Sequence, residues 1–474
     1  MVFLSAVLLK ISVFDGKKYM EASVLQRTDS TDIKKQRGMI YDRNMCPLVD
    51  SRTYIDFKEK DGKTVKYTYT KRYDALSLAS HFIGYTDLSG KGVCGIEKIY
   101  DSYLWSDATY SINTIKDVKN NTIDKFGIRS QNKNVPGMSL KLTLDYHIQK
   151  EAEEAMKNKK ATGSVVVLDA KNFDLLASVS SPSFDRTDVG KYVNSSKGEL
   201  IDRSISQYNA GSIFKIITCA AALENNDFNE NSKFFCTGSS NVNSVIFNCH
   251  KKDGHGFLNL ESAFYNSCNC AFYEMGIKCQ IKKIQKCAES FGLGKKVINF
   301  DNEFCGNVNL KKAVTNADMA NISIGQGDIL ITPVQAVKIA AIIANDGVSK
   351  NVNTAMCLVD KNGKETGNFY KNDEKRAIKK DTARKIGKMM EKCVLYGTGT
   401  GAKSKELSIS GKTGTAQTGW LKDGSLMVHG WFVGFFPSEK PKYAMCVFLE
   451  NGKSSNSAAV IFKEIAEKIC NDLN

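Results

Sequence analysis

The chain has 474 residues, 42% of them hydrophobic and 25% charged. That composition excludes a wholly disordered chain, a fibrous repeat and a polytopic membrane protein. Lys and Arg outnumber Asp and Glu by 66 to 51, a formal charge of +15, which suits an anionic partner such as lipid or cell envelope. The lysines are scattered and form no Arg-rich, aromatic-interleaved block, which argues against nucleic acid.

The first 14 residues, MVFLSAVLLKISVF, are apolar apart from Lys10. A bilayer span needs about 20 residues. Two readings stand: a helix packed on the body, or the end of a membrane anchor. Residues 15–135 are polar, Lys-rich and Tyr-rich, with alternating stretches such as TVKYTYTKRY, and predict a small loop-rich module. A turn signal at Asn134–Gly137 marks a boundary, and residues 136–474 form the larger unit. Within it, HIQKEAEEAMK has helical period. ATGSVVVLDAKNFDLLASVSS predicts a hairpin turning at Ala170–Asn172. Residues 203–224 read as a loop opening into a buried helix, and 334–345 as another apolar helix. The end reads as three strands (LSISGKTGTAQ, HGWFVGFFP, YAMCVFLE) and an amphipathic helix. Neighbouring strands in hairpins among helices predict an α+β fold, an antiparallel sheet flanked by helices, and not a doubly wound parallel sheet.

Three polar motifs carry the chemistry. In Ser212-Ile213-Phe214-Lys215, residues three apart share a helix face. A serine hydroxyl needs a base beside it to act as a nucleophile, and burial can lower a lysine pKa until the amine serves as that base. Ser267-Cys268-Asn269 lies in a polar break between helical runs and can aim a hydroxyl and an amide into one cleft. Lys412-Thr413-Gly414-Thr415 sits on a predicted strand. There Gly414 allows a close backbone approach, the two threonine hydroxyls suit a carboxylate, and Lys412 adds positive charge. Each motif alone is weak. In this order, S-x-x-K, S-x-N and K-T-G form the signature shared by penicillin-binding proteins and class A β-lactamases.

Over nearly its whole length the sequence resembles the class B penicillin-binding proteins. Arg37-Gly38-Met39-Ile40-Tyr41-Asp42-Arg43-Asn44 is similar to the signature of their N-terminal pedestal. Phe82–Tyr85 and Gly95-Ile96-Glu97-Lys98 resemble the later pedestal motifs. Leu142–Asp145 resembles the start of their transpeptidase domain, and Ser323–Gly327 with Thr332-Pro333 a segment those domains share. The resemblance implies a penicillin-binding/β-lactamase-like transpeptidase fold with a smaller pedestal at 15–135. It implies residues 1–14 as the end of a single-pass anchor, with the body outside the cell membrane. It also implies a serine D,D-transpeptidase that cross-links peptidoglycan stem peptides ending in D-Ala-D-Ala, is acylated by β-lactams, and works beside a membrane glycosyltransferase. Ser212 would be the nucleophile, Lys215 its base and Ser267 the proton relay to the leaving amine. Asn269 would bind the substrate amide, Lys412 would set the field, and Thr413 and Thr415 would hold the carboxylate. Backbone N–H groups of Ser212 and Thr415 would form the oxyanion hole. No organic cofactor is implied. Ala210 stands where the family usually has proline. A D,D-carboxypeptidase or β-lactamase-type hydrolase and a non-catalytic scaffold are the alternatives. Between Asn269 and Lys412 no convincing Glu-x-x-x-Asn loop suggests a deacylating water.

Six of the fourteen cysteines fall between Cys236 and Cys287. Zinc takes four N/S ligands tetrahedrally, and Cys236, Cys249, His255 and Cys268 form a candidate structural site. Cys270 and His250 are alternates. A Cys236–Cys249 disulfide and plain buried thiols are the competing readings, and Cys279 and Cys287 fall where core packing is expected.

Overall fold

A computed structural model describes residues 2–34, 37–50, 53–60, 63–70, 72–73, 78–105, 109–115, 129–132, 137–310, 315–371, 373–422, 425–451 and 455–472. Its centre is a five-stranded sheet in the order Leu175–Ser181, Gly163–Asp169, Tyr443–Leu449, Ser425–Phe436, Ser410–Lys422. Every pairing is antiparallel, as the hairpin pattern predicts. Side chains alternate between faces. Val166, Leu168, Cys446, Phe448, Trp431 and Val433 join one core; Val165, Val167, Met445, Val447, Phe432 and Phe436 join the other. The inner strands Gly163–Asp169 and Tyr443–Leu449 are near-continuous hydrophobic runs because both faces are covered.

The second face is covered by Tyr146–Asn158 and Ser455–Asp472, through Ile148, Ala152, Phe462 and Ile465. Asp145 starts the first of these, its carboxylate accepting from the His147 and Ile148 N–H groups, which satisfies helix-terminal donors. The other face carries Lys215–Glu224, Pro333–Ala344 and Lys380–Tyr396. Thr332 and Gln335 form a capping box there with Pro333 at the first helical position, so the Thr-Pro dipeptide is a helix start.

A second sheet has the order Glu365–Thr366, Ala355–Val359, Ser139–Leu142, Ile40–Tyr41, Pro47–Val49. Ile40–Tyr41 runs parallel to Ser139–Leu142. A sheet therefore straddles the boundary at 134–137 that the turn signal suggests. The motif residues explain the join. Asp42 accepts from the N–H groups of Asn44 and Cys46 at 2.7 Å and from that of Tyr146 at 3.1 Å, and the Asn44 amide donates to Asp145. Arg37 and Arg72 each donate to Glu97 at 2.7 Å, and the Tyr73 hydroxyl does so at 2.8 Å. Burial alone would raise the Glu97 pKa, but the charges and hydrogen bonds of Arg72 and Arg37 hold it below the usual value.

At the N-terminus, helix Val2–Leu9 leaves Phe3, Leu4, Leu8 and Leu9 exposed. Among the described residues no helix is long and apolar enough to cross a membrane. The first seven residues of the TVKYTYTKRY stretch belong to strand Lys63–Thr70, paired with Thr53–Lys60.

Candidate active site

The three motifs converge at one edge of the central sheet. Ser212 lies in the short 3-10 turn Gly211–Phe214, immediately before helix Lys215–Glu224. Gly211 has φ +52°, and a Cβ there would stand 2.6 Å from the Thr415 carbonyl oxygen. Only glycine fits that turn against the strand. Ala210, the departure from the family pattern, is fully buried. Ser267 occupies the connection between helices Leu260–Tyr265 and Asn269–Cys279 with φ +54°. A left-handed serine is a strained conformation of the kind found at functional sites. Backbone bonds from Ser267 to Phe264 and from Cys268 to Ala263 hold it.

Lys215 and Lys412 are both wholly buried. The Lys215 ammonium donates to the Ser267 carbonyl at 2.7 Å, the Ser267 hydroxyl at 3.1 Å and the Asn269 side-chain oxygen at 2.7 Å. From the other side Lys412 donates to the same hydroxyl at 3.0 Å and to the Thr413 carbonyl at 3.1 Å. Ser267 Oγ thus bridges two lysines. Burial, and then the neighbouring Lys412 charge, hold Lys215 well below the ordinary lysine range; burial also lowers Lys412. Phe272 and Phe264 wall the two amines, at 5.3 and 5.9 Å from ring centre to Nζ. Such a pair is poised for proton exchange, because two like charges sharing one apolar site disfavour double protonation.

Ser212 sits half-buried, and its hydroxyl has no hydrogen-bond partner among the described residues. The base expected beside it is engaged one layer deeper, on the Ser-x-Asn loop. Such contacts are often loose without substrate and tighten in the reacting complex. Thr413 is buried and Thr415 exposed. Gly414 also has a packing role. A Cβ there would stand 2.8 Å from Ile213, so the missing side chain lets the nucleophile turn pack onto the strand.

Three contributors have no motif to announce them. The carbonyl of Asn248 accepts from the Asn269 amide at 3.3 Å and the Tyr273 hydroxyl at 3.1 Å, tying hairpin Ser239–Val242/Val245–Asn248 to the loop. Thr398 touches Thr413 from a Gly-Thr-Gly run whose glycines are the one available sequence signal.

Beside the loop, one ligand atom each from Cys236, Cys249, His255 and Cys268 lies within 4.8 Å of all the others. Cys249 Sγ is 3.6 Å from His255 Nδ1. Tetrahedral zinc with bonds of about 2.3 Å to sulfur and about 2.0 Å to nitrogen places such pairs about 3.5–3.8 Å apart. Hydrogen bonding with Cys268 and Cys270 drives the Cys249 thiol well below its ordinary range. All fourteen cysteines are free, so Cys236 and Cys249 form no disulfide. Cys279 and Cys287 are buried in the core.

Residues 163–469 match the penicillin binding protein transpeptidase domain model. The chain belongs to that family. Stage V sporulation protein D of Bacillus subtilis is 30% identical over 400 residues, covering 81% of this chain and 60% of that protein. Peptidoglycan D,D-transpeptidase MrdA of Acinetobacter baumannii is 27% identical over 470 residues, covering 85% and 66%. The chain thus spans under two thirds of either relative's length. Among solved structures, penicillin binding protein 3 of Mycobacterium tuberculosis, complexed with aztreonam, superposes with TM-score 0.75 at 24% identity over 94% of this chain and 97% of that one. PBP2 of Pseudomonas aeruginosa in complex with WCK 5153 gives 0.72 at 23% identity, over 93% and 96%. The α+β transpeptidase fold expected from the sequence is therefore the fold this chain has.

Proposed function

We propose that the protein is a class B peptidoglycan D,D-transpeptidase that works through a serine acyl-enzyme. The observation that carries this reading is the Ser267 hydroxyl held between Lys215, three residues after Ser212, and Lys412, at 3.1 and 3.0 Å. Ser212 Oγ attacks the penultimate D-Ala carbonyl carbon of a stem peptide while its proton passes to neutral Lys215. The oxyanion is held by the Ser212 and Thr415 N–H groups. On collapse the peptide C–N bond breaks, and Ser267, reprotonated from the lysine pair, delivers a proton to the departing D-Ala amine. An amine of a neighbouring stem then attacks the acyl-enzyme, forms the cross-link and returns the proton to Ser212. Asn269 holds the substrate amide; Lys412, Thr413 and Thr415 hold its carboxylate. A β-lactam enters the same path, and with no amine leaving the site its acyl-enzyme persists.

Cys236, Cys249, His255 and Cys268 hold a structural zinc in this reading. A zinc site there braces Ser267 and Asn269, the residues on either side of Cys268, and takes no part in the chemistry. Residues 15–135 serve as pedestal and 136–474 as the transpeptidase domain. Residues 1–14 end a single-pass anchor that keeps the body outside the cell membrane, beside a glycosyltransferase that supplies glycan strands; the exposed Phe3, Leu4, Leu8 and Leu9 support the anchor.

Intact-mass spectrometry with benzylpenicillin tests the proposal. A stable adduct on wild type, absent in Ser212→Ala, is expected. No adduct and no β-lactam consumption would refute it, and rapid consumption without an adduct would make the protein a hydrolase.

A further inference from the structure

Thr398 lies between Gly397 and Gly399, just past the helix Lys380–Tyr396. Its N–H donates to the carbonyl of Tyr265 at 3.1 Å, two residues before Ser267. Its hydroxyl oxygen is 2.5 Å from Thr413 Oγ1 and 3.5 Å from the sulfur of buried Cys393. A Cβ on Gly397 would stand 2.1 Å from the Tyr265 carbonyl, so the turn is pressed against the Ser-x-Asn loop. One residue therefore fastens that loop to the Lys-Thr-Gly strand.

We infer that Thr398 is a positioning residue that sets the direction of the Thr413 hydroxyl. A hydroxyl has one proton and two acceptor lone pairs. A carboxylate only accepts. For Thr413 to give its proton to a substrate carboxylate, its oxygen must receive the Thr398 proton and not the reverse. The Cys393 thiol supplies the start of that order: Cys393 S–H to Thr398, Thr398 O–H to Thr413, Thr413 O–H to the carboxylate. Without Thr398, Thr413 Oγ1 loses the donor 2.5 Å away and its proton is free to turn elsewhere. The inference rests on the proposed carboxylate role of Thr413.

The test measures second-order acylation rate constants with benzylpenicillin, which has a free carboxylate, and with its methyl ester, which has none. Wild type, Thr398→Val, Thr398→Ser and Thr413→Val are compared, each with a thermal melt. Thr398→Val should lower the benzylpenicillin constant roughly 10-fold, the scale of one hydrogen bond to a charged group. The loss should fall on the binding constant more than on the limiting rate. The ester constant should stay within about twofold, and Thr398→Ser should restore the wild-type preference. Thr398→Ala carries the same expectation should the valine variant not fold. Equal losses on both compounds, or no loss on either, would overturn the inference. If Thr413→Val abolishes the carboxylate preference while Thr398→Val and Thr398→Ala keep it, the Thr398 role alone fails. If Thr413→Val keeps the preference, the carboxylate role of Thr413 fails and takes the inference with it. A wild type acylated by neither compound sinks the transpeptidase reading itself.

Discussion

Ser267→Ala deletes a single oxygen and leaves the two lysines around it. Lys215 keeps two of its three acceptors, the Ser267 carbonyl and the Asn269 side-chain oxygen, both at 2.7 Å. Among the described residues Lys412 keeps only the Thr413 carbonyl at 3.1 Å. The burden therefore falls on Lys412, a wholly buried amine. Losing a hydrogen bond to a charged group costs about 1.5–3 kcal/mol. Part of this is recovered because a lowered lysine pKa lets the amine shed its charge. A destabilisation of about 2 kcal/mol follows, measurable as a lower urea midpoint at constant slope. Acylation should suffer more. A positioned proton donor contributes typically 10²–10⁴-fold, so stopped-flow acylation by a chromogenic cephalosporin should slow by about that factor, while the Ser212 adduct still forms on long incubation. A variant that acylates at the wild-type rate would refute the bridge, whatever its stability. A variant as stable as wild type but slow would show that Lys412 finds another acceptor, and the energetic half of the reasoning would fail.

The pH profile should follow Lys215. Its pKa is held down by burial first and by Lys412 second, and as a base it must be neutral. Acylation therefore rises with pH through this lowered pKa and is lost as pH falls through it; in Lys412→Met the acid limb should move to higher pH, and an unmoved limb would exclude Lys215 as the titrating group. Native protein should carry close to one zinc per chain by metal analysis, and Cys268→Ser or chelation should slow β-lactam acylation about tenfold or more, in line with the loss of loop bracing; metal-free protein with full acylation rates would remove zinc from the account. In Glu97→Gln the two arginines keep their places but lose the buried charge they share, and truncating one partner of a buried ion pair costs about 3–5 kcal/mol. Denaturant unfolding should show that loss with Ser212 acylation at native pH little changed, and an unaltered midpoint would refute the coupling drawn from the 2.7 Å contacts.

The candidate site was legible as three short motifs, because each confines a few polar residue types to a short spacing. Ser212 and Lys215 lie three residues apart, and so do not depend on any long-range pairing to share one end of a helix. The cysteine cluster was legible for the same reason, although nothing in the spacing could choose His255 over His250. Thr398 was not legible. It meets Thr413 only because the strand returns past the end of the preceding helix, and a threonine between glycines reads as a simple loop. Gly414 was visible, but its packing against Ile213 was not, since only the folded chain brings the two together. In the fold, the hairpins of the central sheet followed from apolar runs separated by turns. The two-residue strand Ile40–Tyr41 is too short to show any periodicity, so its pairing with residues a hundred positions later was invisible. Its motif marked a place of importance without saying that the importance was a seam between two parts of the chain.

That seam has a mechanical meaning. Strands Ile40–Tyr41 and Ser139–Leu142 lie side by side and run in the same direction, about 4.8 Å apart as neighbouring strands are. The segment between them is pinned to the larger unit a second time at helix Ser80–Ile83: the Ala79 N–H donates to Glu153, and His81 Nε2 lies against the Glu199 carbonyl, both at 2.6 Å. An arm rooted on two adjacent strands and held again at a second place cannot swing as a hinged one does. A load placed on that arm is delivered to the helix Tyr146–Asn158 at two points, Asp42 at its start and Glu153 further along, and so reaches the back of the sheet whose far edge carries Lys412.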